Sequence, residues 1–169
     1  MTLPALAVLA ASLVAAFCDV RTRRIPNAIA IALLLCGLAL SAQHGWQSAA
    51  LDLAITFAVL LAGSVAFSLR LIGGGDVKLL AAAAGVLGYP QCVGFILMTL
   101  VCGGVLAVAF AAARGRLGAT LANVQSMTMP VFAGVRPVRP QNSIAMPYAL
   151  AIFAGAAITA FLPHLRLFQ

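Results

Sequence analysis

Residues 49–69 read AALDLAITFAVLLAGSVAFSL, a run in which Asp52 is the only charged residue. A helix of this length rises about 30 Å, which matches the hydrocarbon core of a bilayer. Lipid offers no partner to backbone N–H and C=O groups, so a single spanning segment must satisfy them as a helix. The stretch therefore predicts a transmembrane helix.

The rest of the chain has the same character. It is 64% hydrophobic and 8% charged, whereas soluble domains carry about 25% charged residues. We therefore predict an all-α membrane protein in one domain, residues 1–169, with about six transmembrane helices. Its apolar segments are Thr2–Phe17, Ala28–Ala42, Ala49–Leu69, Val77–Leu87, Cys92–Ala113 and Ile144–Leu162. Small residues within them should allow close helix approach, namely Gly63, Gly85, Gly103, Gly104 and Gly155.

The basic residues orient these segments. Nine of the ten fall in or beside the first, third and fifth connections, and only Arg166 falls on the other side. By the positive-inside rule those connections are cytoplasmic and both termini are outside, with residues 114–142 forming a basic loop that contacts anionic lipid. The sequence has no basic face with interleaved aromatic residues, the pattern that would indicate nucleic-acid binding. The nine residues are Arg21, Arg23, Arg24, Arg70, Lys78, Arg114, Arg116, Arg136 and Arg139.

Three aspartates are the only acidic residues. Asp19 follows the first apolar segment and Asp76 precedes the fourth, so the two lie on the same side of the membrane in either orientation. Asp52 begins the third segment and lies about 30 Å away on the opposite side, where we expect it to stabilise the helix N-terminus. Only Asp19 and Asp76 can meet.

Two neighbouring carboxylates cannot both ionise easily, so one retains a proton. A charged carboxylate can then deprotonate water while the protonated one polarises an amide carbonyl. No Ser–His–Asp or Cys–His set competes, because His44 and His164 fall on the outer side. The cysteines form no CxxC pair, so we predict neither a metal nor a cofactor.

Asp76 closes the run Gly73-Gly74-Gly75-Asp76-Val77-Lys78. Three glycines disfavour a helix, and irregular backbone at membrane depth is tolerated where it is buried or lines a water-filled cavity. We expect an open stretch that could admit a peptide; the alternative is a flexible loop whose aspartate caps the next helix. On the other connection, Pro26 suits the first turn of a helix and Asn27 could brace the site.

Two motifs resemble those of the type IV prepilin peptidases. Asp19-Val20-Arg21-Thr22-Arg23-Arg24-Ile25-Pro26-Asn27 is similar to their first aspartate motif, and Gly73–Leu80 is similar to their second, of the GxGD type. Met146-Pro147-Tyr148 followed by Gly155 resembles a stretch of their last helix. The resemblance covers nearly the whole chain in the same order.

The resemblance implies an aspartic endopeptidase of the bacterial inner membrane, with Asp19 and Asp76 as its catalytic pair. Its substrates would be prepilin-like proteins, cut on the cytoplasmic side, with the pilus assembly machinery as a further partner. The N-terminal region that carries methyltransferase activity in larger members is missing before Asp19. The chain therefore resembles the short forms of tight-adherence (Flp) pilus systems.

The charge pattern suggests how a substrate is recognised. Arg23, Arg24 or Lys78 could hold an acidic group just past the cleaved bond, or Lys78 could instead lower the pKa of Asp76.

Two other functions remain alternatives. A proton- or cation-coupled transporter would use both acids as a relay, although it favours acids near the midplane and inverted repeats. A scaffold subunit would use the acids only as helix caps.

Overall fold

The computed structural model describes residues 2–69, 72–113, 115 and 148–161. These residues form only helices, as the apolar segments predict. Apart from Gly115, the predicted loop 114–142 lies outside the described residues, as do Arg70, Met146, Pro147, His164 and Arg166. The six helices are α1 (Leu3–Thr22), α2 (Asn27–Ala42), α3 (Trp46–Ser68), α4 (Gly74–Leu87), α5 (Gln91–Ala113) and α6 (Ala149–Phe161).

Among the residues that the structure describes, three helices are long and apolar enough to cross a membrane. These are α1, α3 and α5, with 20, 23 and 23 residues, while α2 and α6 are apolar but shorter. Large apolar side chains remain exposed on the three long helices, a surface suited to lipid rather than to water. They include Leu13 and Phe17 on α1, Phe57 and Leu61 on α3, and Val101 and Val105 on α5.

The central helix is α4, which contacts each of the other five. Residues 81–86 are all buried, and four of them are alanine. Their small side chains let the neighbouring helices close around α4 from all sides. Phe95 of α5 and Ile152 of α6 are among the largest fully buried side chains of the core.

Glycines bring several helices into direct contact. A Cβ on Gly85 would overlap Thr56 of α3, and one on Gly155 would overlap Thr99 of α5. A Cβ on Gly63 would lie 2.5 Å from Val77, and one on Gly103 would lie 2.8 Å from Tyr148. Close approach is therefore confirmed at these four positions. The prediction of close approach is wrong at Gly104, where a Cβ would meet no described residue within 4 Å.

Two helix boundaries differ from the apolar segments. The first segment was expected to end at Phe17, but α1 continues to Thr22 and includes Asp19 in its last turn. The third was expected to begin at Ala49, but α3 begins at Trp46, directly after Gly45 with φ of 113°. No helix-breaking residue separates Trp46 from Ala49, so the helix starts three residues earlier and Asp52 lies almost two turns inside it.

Asp52 therefore does not stabilise the N-terminus of α3, and that expectation is wrong. Its carboxylate accepts a hydrogen bond from Ser41 near the end of α2. Its Oδ1 also lies 3.0 Å from the position of a Cβ on Gly88, the residue that follows α4. Asp52 thus lies beside the C-terminal ends of two helices.

Candidate active site

Asp19 projects from the last turn of α1 toward the beginning of α6. The helix ends because Arg23 adopts the left-handed conformation, with φ of 52°, and its N–H donates to the Asp19 carbonyl at 2.8 Å. The side-chain Oδ2 of Asp19 accepts a hydrogen bond from the N–H of Ala149 at 3.3 Å. The first N–H groups of a helix have no partner within it, so Asp19 supplies one for α6. A negative charge is stabilised there by the helix dipole.

Asp76 lies in the first turn of α4, ahead of its apolar stretch 77–87. Its carboxylate folds back over Gly73, with Oδ2 only 2.6 Å from the position that a Cβ on Gly73 would take. The Gly73 N–H donates a hydrogen bond to this carboxylate, as the N-cap N–H does to the side chain of the third helical residue in a capping box. Gly73 is the N-cap and Asp76 the third residue of α4, so Asp76 is not itself the N-cap that the alternative assigned to it.

The environment of Asp76 favours its protonated form. Burial, followed by the charge of Asp19, raises the pKa of Asp76 from 3.8 to about 6, against the lowering effect of the Gly73 hydrogen bond. Within the described residues, Oδ1 of Asp76 is buried and has no hydrogen-bond partner. An unpaired buried carboxyl oxygen is costly and is suited to hold a water molecule or a substrate carbonyl.

The two acids share one end of the helix bundle and Asp52 lies at the other. Asp76 begins α4, whereas Asp52 adjoins Gly88 just past its end. Gly88 lies twelve positions after Asp76, which corresponds to about 18 Å at 1.5 Å per residue. Asp52 is thus at the opposite end from Asp19 and Asp76, as the sequence predicts, but the separation is shorter than the predicted distance of about 30 Å.

The glycine run is more regular than expected. Gly73 caps the helix, but Gly74 and Gly75 are already helical, so the expectation of irregular backbone is wrong for both. A Cβ on Gly74 would lie 3.3 Å from the Phe67 ring, and one on Gly75 would lie 3.2 Å from Ile25. These contacts explain the helix, because tertiary packing overrides the low helix propensity of glycine.

Asn27 and Lys78 are joined by a hydrogen bond. Lys78 Nζ donates to Asn27 Oδ1 at 3.0 Å, and both side chains are exposed. Pro26 is the N-cap of α2, one position before the expected first turn, and Asn27 is the first helical residue. The pKa of Asp76 is raised, and the Lys78 charge is not among its causes. The suggestion that Lys78 lowers this pKa is therefore wrong.

Tyr148 is a neighbour of the site to which the sequence assigned no role. Its ring packs on Gly103, and its phenol lies near enough to Asp76 for electrostatic interaction. The only signal was its position in the Met146-Pro147-Tyr148 motif. Arg23 and Arg24, proposed as substrate contacts, are exposed in the α1–α2 connection.

Among the described residues, no three His, Cys, Asp or Glu side chains come together in a way that could hold a metal ion. Cys18, Cys36, Cys92 and Cys102 are all free thiols. Chemistry without a metal or cofactor thus stays a prediction, and the two carboxylates are the groups on which it depends.

Comparison with known proteins gives one match. Residues 6–108 match the model of the type IV leader peptidase family. The matched region is more than half of the chain and contains both Asp19 and Asp76. No curated protein and no solved structure matches the chain.

Proposed function

The chain belongs to the type IV leader peptidase family, and from this premise we propose that it is an aspartic endopeptidase in which Asp19 and Asp76 hydrolyse the leader peptide bond of prepilins. The observation that carries the proposal is the unequal environment of the two acids. Asp19 accepts an N–H from the start of α6, which stabilises a charged carboxylate. Asp76 has a raised pKa and one unpaired buried oxygen.

The different environments of Asp19 and Asp76 suggest which acts as the base and which as the acid. Charged Asp19 takes a proton from water, whose oxygen attacks the carbonyl carbon of the substrate. Protonated Asp76 donates a hydrogen bond to the carbonyl oxygen and then transfers its proton to the leaving nitrogen as the C–N bond breaks. The pair still holds one proton afterwards, now on Asp19. General acid–base steps of this kind each contribute about 10²–10⁴ in rate.

We place the reaction at the cytoplasmic face of a bacterial inner membrane, with both termini outside and one domain over residues 1–169. The charge bias of the connections supports this orientation. Exposed Arg21, Arg23, Arg24 and Lys78 would contact anionic headgroups on that side, and the loop 114–142 would add to them. The substrates we propose are Flp-type prepilins, with the pilus assembly machinery as a further partner.

Arg23 and Arg24 are proposed to bind an acidic group just past the cleaved bond. Both are exposed on the same connection as the catalytic end of α1, whereas Lys78 is already hydrogen-bonded to Asn27. Replacing that substrate acid by lysine should reduce cleavage by wild type. Unchanged cleavage of the reversed substrate would contradict this contact.

The test of function is cleavage of a co-expressed Flp-type prepilin, followed by gel mobility. We expect wild type and Asp52→Asn to process it, and Asp19→Asn and Asp76→Asn to lose at least 10³-fold in rate, since either change removes a proton-transfer group. Retention of cleavage by both variants would reject the aspartic mechanism and favour the transporter alternative.

A further inference from the structure

The α1–α2 connection and the first residue of α2 contact the start of α4 at two points. Ile25 packs directly against Gly75, with its Cβ 3.2 Å from the position of a Cβ there. Lys78 Nζ donates to Asn27 Oδ1 at 3.0 Å. Gly75 and Lys78 lie on either side of Asp76 in the chain, so the two contacts hold the turn of helix that carries this acid.

The same connection also leads back to Asp19. It begins at Arg23, whose N–H is bonded to the Asp19 carbonyl, and it ends at Pro26, the N-cap of α2. Proline fixes φ near −65°, which stiffens the end of the connection. A short, stiff segment thus joins the backbone of one acid to the helix turn of the other.

We infer that Asn27 and Lys78 form a positioning bridge that holds Asp19 and Asp76 at their working separation. The inference rests on the proposed function, because it assigns a purpose to the relative placement of the two acids. The bridge crosses 51 residues of sequence, and its ammonium donor makes it a charge-assisted hydrogen bond. Neither residue touches the reacting atoms, so both act through the acids.

The size of the effect follows from the geometry of catalysis. A misplacement of about 1 Å in a catalytic group can reduce turnover by about 10²-fold. Because both side chains are exposed, water can replace the lost partner and part of the alignment survives. We expect Asn27→Ala and Lys78→Met each to reduce kcat by about 10-fold to 100-fold, with KM changed less than about threefold.

Three kinetic comparisons test the bridge in the full-length protein. The double variant Asn27→Ala/Lys78→Met should be no slower than either single variant, because both remove the same bond. Asn27→Asp keeps an acceptor for Lys78 and should recover most of kcat. Arg21→Met removes a basic charge from the same end of the bundle and serves as the matched control. Additive losses, or equal losses in Arg21→Met, would overturn the inference.

A second measurement is independent of peptidase activity. With the four native cysteines replaced by alanine, Ile25→Cys/Gly75→Cys places two thiols where oxidation can join the connection to α4. Adding Lys78→Met should slow this cross-link about 10-fold, whereas adding Arg21→Met should not. An unchanged rate would show that the bridge does not hold the connection, and would also overturn the inference.

The two proposals can fail separately. If Asp76→Asn cleaves prepilin as well as wild type, the proposed function fails, and the cross-linking rates still decide whether the bridge fixes the connection. If Asp76→Asn is inactive while Lys78→Met keeps the kcat of wild type, the function stands and the bridge is refuted. A loss of cleavage that only follows a loss of folded protein, measured by gel filtration in detergent, would also refute it.

Discussion

Asp19 and Asp76 are chemically identical side chains that the fold places in different environments. Asp19 receives a helix N-terminal N–H, which supports a charge. Asp76 is held in a partly buried position beside Asp19, and its Oδ1 has no partner among the described residues. Acids in such unequal environments can act as base and acid at the same time, which is the role that we propose for this pair.

The raised pKa of Asp76 predicts a pH-dependent reactivity. Since the pKa is about 6, Asp76 is mainly protonated below this pH and mainly ionised above it. A hydrophobic carbodiimide, which reacts with protonated carboxyl groups, should modify Asp76 with a midpoint near pH 6, as followed by mass spectrometry. Ionisation of Asp76 should also lower the free energy of unfolding as the pH rises through about 6. The reason is that the folded chain binds the Asp76 proton more tightly than the unfolded chain does.

Two variants separate the causes of that shift. Asp19→Asn removes a repelling charge and should move the midpoint to lower pH, while burial keeps it above 3.8. Asp52→Asn lies at the other end of α4 and should leave the midpoint unchanged. A midpoint that does not respond to Asp19→Asn would show that the two acids do not interact.

At the scale of helices, packing depends on a few glycine contacts around the core. Gly155 of α6 lies against the backbone of Thr99 on α5, where an added Cβ would come within 2.8 Å of backbone atoms. Backbone cannot rotate away as a side chain can. The α5–α6 contact is important for the site because α6 begins with Ala149, the hydrogen-bond partner of Asp19.

Gly155→Ala should therefore destabilise the protein by about 1–3 kcal/mol through overpacking. Gly104→Ala is the matched control, because its Cβ would meet nothing within 4 Å; it should be neutral or stabilise α5 by up to about 1 kcal/mol. Thermal unfolding in detergent measures both. Equal unfolding temperatures for the two variants would contradict this account of the contact.

Asp52 offers a second test at this scale, because its carboxylate lies beside the C-terminal ends of α2 and α4. Helix C-termini carry partial negative charge, which disfavours an anion. Asp52→Asn keeps an acceptor for Ser41 and should unfold at the same or a higher temperature than wild type. Asp52→Leu loses the acceptor and should be less stable by about 1 kcal/mol. A lower unfolding temperature for Asp52→Asn than for wild type would show that the charge itself is needed.

At the scale of the whole molecule, α4 connects the two ends of the helix bundle. Asp76 lies at its start and Asp52 adjoins the residue after its end. The described basic residues, Arg21, Arg23, Arg24 and Lys78, lie at the end that holds Asp19 and Asp76, and the positive-inside rule supports our proposal that this end faces the cytoplasm. The orientation thus decides on which side of the membrane a substrate is cut.

Cysteine labelling in intact cells tests this orientation. In a chain without its native cysteines, His44→Cys in the α2–α3 connection should react with a membrane-impermeant maleimide added outside. Arg24→Cys in the α1–α2 connection should react only after lysis. The reverse pattern would place the two acids outside and contradict a cytoplasmic cleavage site.

The sequence by itself determined the helical class, the approximate helices and the common end of Asp19 and Asp76. These properties follow from local causes, because apolar length sets a spanning helix and the order of segments sets the side of each connection. Helix ends were less certain, as Asp19 and Asp52 both lie inside helices. Helix propensity does not include tertiary contacts or the effect of a glycine such as Gly45, and both shift the ends of helices.

Only the tertiary structure decided how the two acids differ and what their neighbours do. The hydrogen bond of Ala149 to Asp19 joins residues 130 apart, and that of Lys78 to Asn27 joins residues 51 apart. The helical form of Gly74 and Gly75 depends in the same way on Phe67 and Ile25. No sequence pattern specifies such partners, because they meet only when the helices close around α4, and that closure depends on side-chain shape along its whole length.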